Sequence, residues 1–235
     1  MPTAEITRKG TLLSNFQTIS SRIGAARAAA GANPAETSFI AVTKYAADAD
    51  VIALVEAGAV TIAGENKVQD AKTKWANGAL APLRGKVTLH FIGHLQSNKA
   101  KAAVELFDWI DCIDSVKIAA ELNRHAAALH RTVPVMIQLK LNDSPTQSGV
   151  ALPEAGALLA ELRGMKNLDA RGYMGIAPAN APAEELKSVF ADAKKIFDRD
   201  FPGPGNYLSL GMSGDYELAA AAGSNLPRIG SSLFA

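Results

Sequence analysis

Lys44 ends the short apolar run SFIAVTK at residues 38 to 44. A lysine amine held at the partly dry end of a strand can have its pKa lowered enough to attack a carbonyl and form a Schiff base. Two further segments, Gly211-Met212-Ser213-Gly214 and Gly230-Ser231-Ser232, combine glycines that let a backbone approach an anion with hydroxyls that donate to it. Arg228 stands two residues before the second segment. Together these residues offer a nucleophilic amine, an anion cradle and a fixed cation. The four histidines, His90, His94, His125 and His130, lack metal-ligand spacing, so no metal site is expected. Cys112, the single cysteine, makes neither an internal disulfide nor a cysteine-based zinc site and reads as a small core residue.

The elements that must position these residues follow from the apolar patterning. Residues 11 to 30 place Leu12, Leu13, Phe16, Ile19 and Ile23 at helical spacing, and Gly31-Ala32-Asn33-Pro34 stops the pattern. Eight short apolar runs follow, at 38–44, 61–64, 87–93, 108–114, 133–141, 168–176, 206–211 and 226–230. Helical segments alternate with them, among them 67–75, 96–106, 115–129, 153–162, 183–197 and 216–222. Runs without polar alternation are strands covered on both faces, and regular strand-helix alternation means a parallel sheet. Eight units predict an α/β fold closed as a single (β/α)8 TIM barrel with an extra N-terminal helix. An open doubly wound sheet is the alternative, but it usually carries a glycine-rich first turn, and Thr43-Lys44-Tyr45 stands here. One domain over 1–235 is expected, with 1–36 as leading helix and loop and 37–235 as barrel.

A barrel carries its site at the C-terminal strand ends. Those ends are Lys44, Glu65-Asn66, His94, Asp114-Ser115, Asn142, Met174, Gly211 to Ser213 and Arg228 to Ser232. The loops after the seventh and eighth strands, where barrels commonly bind phosphate, are the two glycine-serine segments. An amine and a phosphate cradle facing each other are the two anchors of pyridoxal 5′-phosphate (PLP), with Arg228 as a partner for the pyridine nitrogen. Each residue also has a structural alternative. Lys44 is then a solvated lysine, Arg228 an ion-pair partner of Asp215 or Glu217, and His94 a packing residue. Asn66 would cap the next helix, with Asp70 and Lys74 on its exposed face, and Met212 would be core with only its amide toward a ligand. Trp75 and Trp109 read as packing residues.

Composition excludes several function classes. With 24 Lys and Arg against 23 Asp and Glu, the net charge is +1, and no block of like charge forms a nucleic-acid arm. No apolar run approaches the roughly 20 residues of a membrane span, and no signal peptide is evident, so a cytoplasmic protein is expected. No heptad or long apolar edge points to an obligate dimer, and a monomer is expected.

The segments AVTK (41–44), GENKVQDA (64–71), HFIGHLQSNKAK (90–101), FDWIDCIDSVKIAAELNR (107–124), LSLGMSGDYELA (208–219) and PRIGSSLFA (227–235) resemble the PLP homeostasis proteins of the YggS/PROSC type. Their barrel is similar to the N-terminal domain of alanine racemase. The resemblance implies that Lys44 holds PLP as a Schiff base. It implies that Ser213 with the amides near Met212, and Gly230 with Ser231, bind the phosphate, and that Arg228 faces the ring nitrogen. Asn66 and His94 would line the mouth, with Met174 and Ile176 beside the ring. Two departures are plain: Tyr45-Ala46-Ala47 follow the lysine, and Gln147 stands before Ser148-Gly149 where relatives often carry a lysine, which puts a second amine there in doubt.

The function implied is storage, buffering or delivery of PLP to apo-enzymes without robust turnover. An arginine at the ring nitrogen weakens the ring as an electron sink, and the chain shows no second domain of the kind that supplies alanine racemase with its tyrosine base. Two alternatives are a small amino-acid racemase using Lys44 with Tyr45, His94 or water, and a Schiff-base aldolase whose substrate carries the phosphate.

Overall fold

The computed structural model describes residues 2–33, 38–142, 144 and 147–235. Pro34 and the expected boundary at 36/37 lie outside these. The leading helix α1 (Pro2–Ala29) starts nine residues earlier than the apolar spacing indicates, and Gly31 follows it with φ +76°, the left-handed conformation that ends helices.

Eight strands follow: β1 (Ile40–Val42), β2 (Ile62–Glu65), β3 (Thr88–Phe91), β4 (Trp109–Ile113), β5 (Val133–Lys140), β6 (Leu168–Ile176), β7 (Tyr207–Ser209) and β8 (Arg228–Ile229). All paired neighbours are parallel, in the order β7-β6-β5-β4-β3-β2-β1-β8. The remaining seam, between β7 and β8, is bridged by the Arg228 N–H donating to the Gly211 carbonyl at 3.0 Å. The result is the expected TIM barrel, nearly closed, wrapped by α2 (Asp48–Glu56), α3 (Val68–Ala71), α4 (Ala100–Leu106), α5 (Val116–Ala128), α6 (Ala155–Arg163), α7 (Ala183–Asp200) and α8 (Tyr216–Ala221), with a last turn α9 (Ser231–Phe234).

Differences from the sequence expectation sit in the helices. The segment expected as one helix over 67–75 is α3 followed by a π-helical turn, Lys72–Ala76, and a 3-10 turn over Ala81–Lys86 lies where nothing was expected.

The two ends of the barrel differ. At the strand starts, Trp109 of β4 stacks on His90 of β3 with centroids 5.1 Å apart and meets Tyr207 of β7 edge-on at 5.3 Å, so aromatic rings fill that end. One level further along β4, the buried Asp111 carboxylate meets His90 Nδ1 at 2.8 Å. Cys112 is buried beside it, and burial pushes its thiol well above the usual range, as expected of a core residue. The other end opens into the cavity described below.

Helix α1 buries Leu12, Ile19 and Ile23 against the barrel. Its Arg8 donates to Asp50 at the start of α2 (2.6 Å) and to the carbonyls of Phe234 and Ala235 (both 2.8 Å), tying the last turn to the outer wall.

Candidate functional site

A cavity of about 1450 Å³ occupies the C-terminal mouth of the barrel. It is lined by Lys44, Asn66, His94, Met212, Ser213, Arg228, Gly230 and Ser231, so these eight candidate ligand-binding residues meet there. Asn142, Gln147, Ser148 and Ile176 line it as well. Met174 does not: it is fully buried within β6, a level deeper, which corrects the expectation that it ends the strand beside a ligand. Asp114 and Ser115 also stay out of the lining; Ser115 instead caps α5, its hydroxyl accepting from the Ile118 N–H.

Lys44 occupies a turn closed by the Ala46 N–H donating to the Thr43 carbonyl at 3.1 Å. Its side chain is exposed rather than partly dry, and its Nζ lies 5.0 Å from the ring centre of Tyr45, itself 86 % exposed. Behind this turn lies a charged network that sequence patterning missed. Glu65, at the end of β2, is fully buried and accepts from Thr43 Oγ1 at 2.7 Å and Trp75 Nε1 at 3.3 Å. Lys74 Nζ lies 3.5 Å from the same Glu65 oxygen and donates to the Thr43 carbonyl at 2.6 Å. Lys74 is therefore not on an exposed helix face, and Asn66 does not cap α3, whose cap position is Lys67. Asn66 is instead pressed against the segment that leaves β3: a Cβ on Gly93 would sit 2.1 Å from the Asn66 carbonyl oxygen, so only glycine fits.

Arg228 is 4 % exposed and donates through Nη1 to the Ser209 carbonyl (2.6 Å) and hydroxyl (2.9 Å), and through Nη2 to the Gly175 carbonyl (2.8 Å). It thus ties β8 to β7 and β6 from inside the barrel. These partners are carbonyls and a hydroxyl, not Asp215 or Glu217; Glu217 pairs with Arg22. Burial pushes the guanidinium down to about 10, which still leaves it a cation at neutral pH.

The two glycine-serine segments are knitted together. Ser213 Oγ accepts from the N–H groups of Gly230 (3.4 Å) and Ser232 (3.3 Å), and Ser232 Oγ donates to the Ser213 carbonyl (3.4 Å). Gly211 turns the chain at φ +88°, with the Cα of Tyr216 2.9 Å from where a Cβ would sit. Met212 is not the core residue of the structural alternative. Its side chain is exposed in the cavity, while its amide donates to Asp215 Oδ1 at 2.6 Å because the loop folds back tightly onto α8.

His94 lies on the opposite rim, its side chain 60 % exposed, with Nδ1 2.7 Å from Ser148 Oγ and 3.7 Å from Asp114. Gln147 beside it donates to the Ile176 carbonyl at 2.7 Å. Among the described residues no cluster of His, Cys, Asp or Glu is placed to hold a metal ion. The mouth combines an amine on a fastened turn, a buried cation and two interlocked glycine-serine loops, a donor set that fits an aldehyde-bearing phosphate monoester.

The family profile described as alanine racemase, N-terminal domain, matches residues 14–235. A pyridoxal phosphate homeostasis protein of Escherichia coli K12 is 34 % identical over 227 residues, covering 94 % of each chain. This chain belongs to the pyridoxal phosphate homeostasis protein family. Among solved structures, this member of the family is similar to PipY of Synechococcus elongatus PCC7942, determined with PLP bound, at 35 % identity and TM-score 0.77 over 92 % of this chain and 100 % of PipY. Alanine racemase of Clostridium difficile shares the fold, with TM-score 0.69 at 14 % identity; the homeostasis-family chain covers 56 % of it. Among the described residues no helix is long and apolar enough to cross a membrane.

Proposed function

We propose that this protein binds PLP in the barrel mouth and serves PLP homeostasis by storing, buffering or delivering it, without robust turnover. The observation that carries the reading is that Lys44, Arg228 and the Ser213 and Ser231 loops line one cavity. Lys44 would hold the aldehyde carbon as a Schiff base, Ser213, Gly230 and Ser231 the phosphate, and Arg228 the ring-nitrogen side. Asn66, Met212 and His94 complete the wall. PLP, when bound, supplies an electrophilic aldehyde and an electron-withdrawing ring. A cationic Arg228 beside that ring disfavours protonation of its nitrogen, and so favours holding the cofactor over stabilising a carbanion. The names of the relatives agree with this reading. A cytoplasmic monomer that hands PLP to apo-enzymes completes the proposal.

Borohydride reduction of the purified PLP-loaded protein, followed by peptide mass analysis, tests it. A pyridoxyl adduct on Lys44 is the expected result, and adducts spread over surface lysines would contradict it. Deuterium exchange at the α-carbon of alanine or serine tests the absence of turnover: exchange abolished by Lys44→Ala would replace the homeostatic reading with a racemase.

A further inference from the structure

We propose that Glu65 and Lys74 are positioning residues for Lys44: a buried ion pair that fastens the turn carrying the amine and sets how fast that amine captures an aldehyde. This rests on the reading of Lys44 as the PLP lysine. Lys44 and Tyr45 are the two central residues of a turn whose first residue is Thr43. Each polar group of Thr43 is engaged: its N–H donates to the Gly64 carbonyl at 3.0 Å, its hydroxyl to Glu65, and its carbonyl accepts from both Ala46 and Lys74. The turn therefore starts from a residue that can neither rotate nor slide without breaking a bond to a buried charge.

Packing alone does not account for this arrangement. A fully buried carboxylate is costly, and an apolar side chain of similar size is often as stable or more so. The second Glu65 oxygen, Oε2, is buried without a partner among the described residues, so the network is not even complete as a structural device. The helix is also distorted at this point. Residues Lys72–Ala76 form a π turn, with the Asn77 N–H donating to the Lys72 carbonyl at 3.2 Å. Such turns are rare and recur at functional sites. Here the π turn contains two consecutive residues, Lys74 and Trp75, that both reach the same Glu65 oxygen.

The step affected is the condensation itself. The neutral Lys44 Nζ forms a bond to the aldehyde carbon, the C=O bond is replaced by C=N, and the oxygen leaves as water with the two protons of the amine. Holding the backbone of the amine removes part of the orientational cost of that bond. In the capture of PLP, Lys74 and Glu65 act only through Lys44, so for that reaction their removal should matter only while Lys44 is present.

The full-length apo-protein is mixed with PLP, and the appearance of the Schiff-base absorption is followed for wild type, K74R, K74M and the doubly neutral E65Q/K74M, which leaves no buried charge unpaired. PLP affinity is measured by equilibrium dialysis for K44A alone and for K44A combined with E65Q/K74M. The expected result is condensation slowed about tenfold in E65Q/K74M, a size typical of a misplaced reacting group, and largely restored in K74R, with the two K44A affinities within about twofold. Condensation at the wild-type rate in E65Q/K74M would overturn the inference, as would an equal loss of PLP affinity in the K44A background, which would mark the network as structural only. If K44A itself keeps the Schiff-base absorption, the assignment of Lys44 fails first and the inference falls with it.

Discussion

On the side of the mouth built by β1, β2, β7 and β8, the exposed Lys44 and Ser231 stand on a base of buried polar groups, each held by several bonds, as with Glu65, Thr43 and Arg228. On the side built by β3, β5 and their loops, the rim residues His94, Asn142, Gln147 and Ser148 are exposed or half-buried and bonded mostly to one another or to single carbonyls, with the buried Gln138 beneath them donating to the Ser148 carbonyl. The first side carries the charges and the fastened turn, and the second presents neutral amides and a solvated imidazole. Geometry that must persist through binding is built where strand ends interlock around buried charge, because breaking such a network costs several kcal/mol. A rim of exposed, singly bonded groups costs little to rearrange, which suits the side from which a ligand or receiving protein approaches.

Four substitutions test that contrast. Glu65→Ala should have the largest effect: it strands the Lys74 ammonium, the Trp75 indole N–H and the Thr43 hydroxyl, and should lower stability by about 3–5 kcal/mol in urea unfolding. A loss below about 1 kcal/mol would show that the buried side is not fastened by this network. Arg228→Met comes next, since it leaves the Ser209 and Gly175 carbonyls without their guanidinium donor, at roughly 1–3 kcal/mol for a buried acceptor. The same variant should also weaken PLP binding.

A control away from the mouth is Asp200, whose carboxyl the Arg199 hydrogen bond holds below the usual range, with help from the Tyr173 hydroxyl at 2.6 Å. Because its folded pKa is depressed, its contribution is present above the unfolded value near 4 and is lost as pH falls through the folded value. Thermal melts of wild type and Asp200→Asn should therefore differ by up to about 1 kcal/mol at neutral pH and converge in acid. His94→Ala should be smallest, within about 0.5 kcal/mol of wild-type stability, because the side chain is largely solvated. A large loss there would erase the difference between the two sides.

Much of this was legible in the sequence. Eight apolar runs without polar alternation marked the strands, and the strand-end rule brought Lys44, Asn66, His94, Ser213, Arg228 and Ser231 to one mouth. Depth was not legible: in LDARGYMGI nothing in the residue types separates Met174, a level down, from Ile176 at the surface of the cavity. Lys74 was missed because a lysine at helical spacing reads as solvated, and the π turn that directs it inward leaves no periodic signature over five residues. For Met212 the core alternative rested on apolar type, which favours burial, whereas the hydrogen bond from its amide to Asp215 fixes the loop with the side chain outward.

The central claim is that Lys44 is the residue through which this barrel holds PLP, and the absorption spectrum of wild type and Lys44→Ala, each with and without added PLP, tests it most directly. The expected result is a visible Schiff-base band in the wild type that is absent from Lys44→Ala even when PLP is retained by the phosphate loops. An unchanged band in Lys44→Ala would contradict it.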